Sequence, residues 1–140
     1  MIVRVQRLEN LFVAAAIAVT FVAAGYQWWL LAAVFVVFDL SALGYVKNRR
    51  LGAVLYNSVH NYGGPAVLAG AYAVGLAQGA PVWALGLVSA CWGFHVSVDR
   101  ALGYGLKTDE GFQHTHLGLI GKRPRGASPR GHGEGSALQG

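Results

Sequence analysis

At 140 residues the chain has room for one domain. Apolar residues make up 54% and charged ones 12%, against roughly 25% charged in an ordinary soluble domain; mean hydropathy is +0.43, and a soluble chain this short lacks the interior to hide so much apolar surface. The single cysteine, Cys91, excludes a disulfide framework and a multi-cysteine metal cluster, and the net charge of +5 sits beside apolar runs, where topology explains it without a nucleic-acid partner.

Four apolar stretches follow one another along the chain, each near the roughly 20 residues that cross a hydrocarbon core of about 30 Å. The first covers 5–24, opens on Arg4 and Arg7, and lacks a cleavage site, so it is expected to stay as an anchor. The second covers 28–46, with Trp28 and Trp29 at its start as interfacial anchors. The third covers 52–77 and is interrupted by Gly63-Gly64-Pro65, where the missing proline donor predicts a kink. The fourth covers 81–102 and opens near Trp83. Without water to satisfy loose backbone groups, helices are the expected form of all four.

The connections differ in kind. Gly25-Tyr26-Gln27 and Gln78-Gly79-Ala80 are uncharged, whereas Lys47-Asn48-Arg49-Arg50, the N-terminus and the chain after the fourth stretch are basic. Four spans put all of those basic segments on one face, which the positive-inside rule makes cytoplasmic. The expected architecture is therefore an all-α, four-helix integral membrane bundle in the plasma (inner) membrane, with both termini cytoplasmic. Residues 1–120 form the four-span domain. Within it, Gly103 and Gly105 turn the chain so that 104–118 docks across the cytoplasmic mouth. Residues 121–140, rich in Gly, Ser, Pro and Arg, are expected to be a disordered basic tail.

Ionisable and amide side chains lie inside the oily stretches, where they are costly and mark sites. At about 1.5 Å of rise per residue, Asp39 lies about 9 Å, His95 about 10 Å and His60 about 12 Å from the cytoplasmic ends of their helices. Asn57, Asp99 and Glu9 lie at similar or shallower depth. Tyr56, Asn57 and His60 share a helix face, as do His95 and Asp99. Asp39, His60, His95 and Asp99 are the candidate catalytic groups. His60, His95, Asp99 and His116 are the candidate metal ligands, with His116 folding back from the 111–118 segment. Glu9, Tyr56, Asn57 and Tyr104 are the candidate supporting or substrate-contacting residues. Imidazole with carboxylate suits a divalent zinc or iron ion, and such an ion near the membrane surface suits hydrolysis or oxidation of a lipid-like substrate.

Three functions fit this layer. One is a membrane-embedded enzyme, metal-dependent or using a histidine beside a carboxylate as general base. A second is a small ion- or proton-coupled transporter or channel subunit, although the outer half offers few polar groups. The third is a structural membrane subunit in which the layer is interhelical glue. The expected partners are the lipid bilayer and a lipid-like small molecule, and a homo-oligomer remains open.

Arg7-Leu8-Glu9, Asp39-Leu-Ser-Ala-Leu-Gly-Tyr45, Gly52-Ala-Val-Leu-Tyr-Asn57 through His60, His95 to Lys107 and Gly111-Phe to Gly118 together resemble a family of small bacterial four-helix membrane proteins, domain of unknown function 4260. The resemblance covers nearly everything before the tail and implies a membrane topology without specifying an activity. It also implies an acidic residue at position 114, where this chain has His114, so His116 is the better ligand candidate of the two.

Overall fold

The computed structural model describes residues 1–108, 111–115 and 118–119. Helix α1 spans Ile2–Ala23, and α2 spans Trp29–Asp39. A 3-10 turn, Leu40–Leu43, leads on into α3, Gly44–Lys47. Helices α4 (Arg49–Val59), α5 (Gly63–Ala77) and α6 (Trp83–Leu102) follow, so that the described chain is mostly helical. Two of these runs, Ile2–Ala23 and the continuous Trp29–Lys47, are long and apolar enough to cross a membrane. Only 11% of either apolar window is buried, and many of their Leu, Phe and Val side chains are exposed.

The third and fourth expected spans differ in form from the first two. The third is broken: α4 ends at Val59, and α5 starts only at Gly63. The break falls at 60–62, just ahead of Gly63-Gly64-Pro65, and leaves Pro65 in the first turn of α5, where its missing donor costs nothing. Asn61 stitches the ends together. Its amide donates to the Asn57 and Ser58 carbonyls at 2.8 and 2.9 Å, and its oxygen accepts from the Gly63 N–H at 2.8 Å. The Val59 carbonyl, orphaned by the same break, accepts from the Trp92 indole. The fourth stretch is one helix of 20 residues, but its length includes buried Ser89, His95, Ser97 and Asp99, and it does not qualify as a crossing helix on apolarity.

Helix α6 is the axle of the fold, touching α1, α2 and α5. Its inner face near the Trp83 end joins Cys91, 1% exposed, to Phe21 of α1 and Leu31 of α2 in an apolar cluster. At the other end Gly103 adopts φ +100°, and the Tyr104 N–H returns to the Asp99 carbonyl at 2.8 Å. This left-handed cap ends α6. The chain then forms a short antiparallel sheet, β1 (Lys107–Thr108), β2 (Gly111–Thr115) and β3 (Gly118–Leu119), in the order β1-β2-β3. Lys107 pairs with Thr115, and His114 with Leu119. No alternating pattern marks strands in this segment, so the all-α expectation holds for the helical body and not here. The 121–140 tail lies outside the described residues.

Candidate functional site

Four side chains from two helices and one helix break meet near the C-terminal end of α6. Asp39 is the last residue of α2, and His60 is the first residue past α4. His95 and Asp99 lie one turn apart on α6. One ligand-type atom from each falls within 4.8 Å of all the others. The two imidazoles face each other, Nε2 to Nε2, at 2.9 Å. Asp39 Oδ1 is 3.7 Å from both Nε2 atoms. Asp99 Oδ2 is 3.4 Å from His60 Nε2 and 3.9 Å from His95 Nε2. His95 is fully buried and His60 is 4% exposed, whereas the Asp39 side chain is half open.

Each imidazole is fixed from outside the cluster. His60 Nδ1 donates to the Tyr56 carbonyl at 2.9 Å, and Ser41 Oγ stands 3.5 Å away. A carbonyl can only accept, so in the neutral ring Nδ1 carries the proton and Nε2 presents a lone pair to the cluster. The ring lies flat on Tyr56, with centroids 3.6 Å apart. His95 is wedged between Phe35 and Phe38, with ring centroids at 4.3 and 5.4 Å. No described group closes a hydrogen bond on its Nδ1. The Tyr56 hydroxyl donates to Asp99 Oδ2 at 3.1 Å.

The spacing suits a metal ion. Zinc ligands at about 2.0–2.1 Å in a tetrahedron stand roughly 3.3 Å from one another. The five nitrogen–nitrogen and nitrogen–oxygen separations above, 2.9 to 3.9 Å, bracket that value. Two imidazoles and two carboxylates also form a donor set that zinc and iron(II) both accept. A cavity of about 410 Å³ opens on the cluster, lined by Phe35, Ala42, Leu102 and Tyr104 besides Asp39, Tyr56 and Asp99.

Other candidates fall elsewhere. Glu9 is exposed on α1 and stays outside the four-residue group. Asn57 shares a turn with His60 but faces away from it: its amide donates to the Lys107 carbonyl at 2.8 Å and accepts from the Lys107 N–H at 2.7 Å. It therefore clasps the post-α6 segment rather than orienting a ligand. Tyr104 borders the cavity. His116 lies outside the described residues, and for His114 only the backbone, in β2, is described.

Three contributors escaped sequence reasoning. Phe35 and Phe38 lie in the apolar run of the second stretch with nothing to mark them, yet their rings flank His95. Lys107 read as a topological charge, yet it is 4% exposed, with its ammonium 4.8 Å from the Tyr56 ring centroid and 5.5 Å from that of Tyr104. Burial pushes it down to about 8, against the opposing pull of Asp99. No local pattern marks Lys107, because its burial depends on the Asn57 clasp fifty residues away.

No curated protein and no solved structure matches the chain. Residues 3–120, which carry every member of the four-residue cluster, match the family model described as Domain of unknown function (DUF4260), and the chain belongs to that family.

Proposed function

We propose that the chain is an integral protein of the plasma (inner) membrane, with both termini cytoplasmic, that binds a divalent zinc or iron ion through Asp39, His60, His95 and Asp99 and acts on a lipid-like substrate. The convergence of four ligand atoms within 4.8 Å of one another carries this reading. Buried ionisable groups in such surroundings are expensive unless paired or metal-bound. The half-open side chain of Asp39 faces the cavity, whose walls are carbon apart from the two carboxylates and two tyrosines. Such a pocket suits a substrate with an apolar body and one polar reacting group. The ion would supply Lewis acidity there; Tyr56 orients Asp99, and the Phe35 and Phe38 rings exclude water from His95.

The 2.9 Å contact between the two Nε2 atoms favours a second reading, a proton relay without metal in which His95 donates to His60. Metal analysis of the purified full chain separates the two. The first expects about one zinc or iron per chain, lost in a His60→Ala, His95→Ala double variant. A wild type without stoichiometric metal after growth in replete medium overturns it and leaves the relay.

A further inference from the structure

A second amphiphilic feature lies on the opposite side of α6. On α1, Arg7, Asn10, Val13, Ile17 and Thr20 follow at three- and four-residue steps and so share one face. That face runs from basic through polar to apolar. On α6 the same gradient runs in the same direction, from Arg100 through Ser97 to Gly93 and Gly86. Tyr62, from the α4–α5 break, joins the two stripes. Its hydroxyl donates to Asn10 Oδ1 and lies 3.0 Å from Ser97 Oγ, and the Arg100 guanidinium covers its ring at 4.8 Å. Arg7 reaches the same end of α6, donating from Nε to the Ala101 carbonyl at 2.8 Å. Among the described residues no carboxylate pairs with either arginine, and Arg100 Nε is buried with no hydrogen-bond partner.

Beyond Tyr62 the space between α1, α5 and α6 opens into a cavity of about 440 Å³. It follows α1 from Val13 to Ala24, about 16 Å of helix, or roughly the depth of one leaflet. Most of the hydroxyls in its wall are already used. Thr20 donates to the Ala16 carbonyl, Ser89 to the Pro65 carbonyl and Tyr26 to the Trp83 carbonyl. What faces the space is mainly carbon, with Tyr72 as a further hydroxyl-bearing residue in the wall.

We propose that this groove holds one anionic phospholipid, with its phosphate on Arg7 and Arg100 and an acyl chain along the cavity. The positive charge at one end and the largely carbon lining of the rest match that amphiphile. Guanidinium is well suited to phosphate oxygens. The proposal rests on the membrane reading above but not on the metal, since the groove and the His/Asp cluster use opposite faces of α6.

The test is thermal melting of the full chain in neutral detergent, with phosphatidylglycerol, phosphatidylcholine or inorganic phosphate added, and with metal content measured on the same samples. Phosphatidylglycerol is expected to raise the melting temperature in a saturable way, while phosphatidylcholine and inorganic phosphate leave it unmoved. Arg100→Gln should weaken the apparent lipid affinity by about tenfold or more, and Ala69→Trp, which fills the cavity from α5, should abolish the shift. His60→Ala should keep it whatever happens to the metal. Equal shifts from the two lipids, a shift reproduced by phosphate alone, or an undiminished shift in Ala69→Trp would each overturn the proposal. The Ala69→Trp arm and the wild-type comparison decide the matter even if Arg100→Gln does not fold.

Discussion

His60 and His95 meet through their Nε2 atoms at 2.9 Å, although they come from a helix break and a helix interior 35 positions apart in sequence. Two neutral rings can hold that contact only if one nitrogen donates, and the Tyr56 carbonyl has already committed the proton of His60 to Nδ1. His95 is then the donor in the metal-free state. A divalent ion taking the place of that single proton would be held by Asp39, His60, His95 and Asp99.

Chelation should therefore unfold the protein more easily. Metal bound at about 100 times its dissociation constant stabilises the native state by about 2.7 kcal/mol. EDTA should lower the melting temperature of the wild type by the corresponding amount. His60→Ala and His95→Ala should begin at a lower melting temperature and respond to EDTA by much less. An EDTA response that persists in the double variant would place the stabilising ion elsewhere.

Asn61 closes three backbone groups at the α4–α5 break, and if the break lies in the bilayer no water would replace it. At about 1 kcal/mol or more per orphaned group, Asn61→Ala should cost about 2–4 kcal/mol in reversible unfolding from mixed micelles. Asn61→Asp keeps the acceptor for the Gly63 N–H but sets a carboxylate oxygen against the Asn57 and Ser58 carbonyls, so it should lose at least as much as Asn61→Ala. Equal stability of all three proteins would show that the break is satisfied in some other way.

That Asp39, His60, His95 and Asp99 reach one level of the bundle was legible, because rise per residue is fixed by helix geometry. Direction around the bundle was not. Glu9 lies at the same depth as Asp39 but sits on α1, which meets the Gly93 and Ser97 side of α6, where Ile17 approaches Gly93 and Asn10 reaches Tyr62. His95 and Asp99 look the other way, toward α2 and α4. Which side of α6 each neighbour takes is decided by small residues and interhelical hydrogen bonds, and neither leaves a periodic trace in its own segment. The break at 60–62 was half legible. Gly63-Gly64-Pro65 announced an interruption, but its position depends on the partners that Asn61 and Trp92 supply.

Glycine positions separate packing from propensity. A Cβ on Gly64 would come within 2.1 Å of the Trp92 ring, whereas one on Gly70 meets nothing within 4 Å. Gly64→Ala should displace Trp92 from the Val59 carbonyl and cost about 1–3 kcal/mol by overpacking. Gly70→Ala, in the same helix, should be neutral or stabilise by up to about 1 kcal/mol. The comparison is a pair of unfolding curves, and equal losses from the two would mean that α5 does not pack on Trp92.

Lys107 makes stability depend on alkaline pH. Burial holds its ammonium down to about 8, below the ordinary 10.5, so between those values the folded chain carries fewer protons than the unfolded one. Stability must then rise with pH across that window, since it increases wherever the unfolded state binds more protons. The favourable contribution is complete above about 10.5 and is lost as pH falls through about 8. Lys107→Met keeps the apolar stem against Tyr56 and Tyr104 and leaves the backbone clasp with Asn57 intact, but removes the titration. Its unfolding free energy should be flatter than that of the wild type between pH 8 and 10.5, and at pH 7 the variant should be the more stable of the two. Parallel curves for the two proteins across the window would show that the amine keeps its full charge in the fold, with a counter-charge from beyond the described residues compensating its burial.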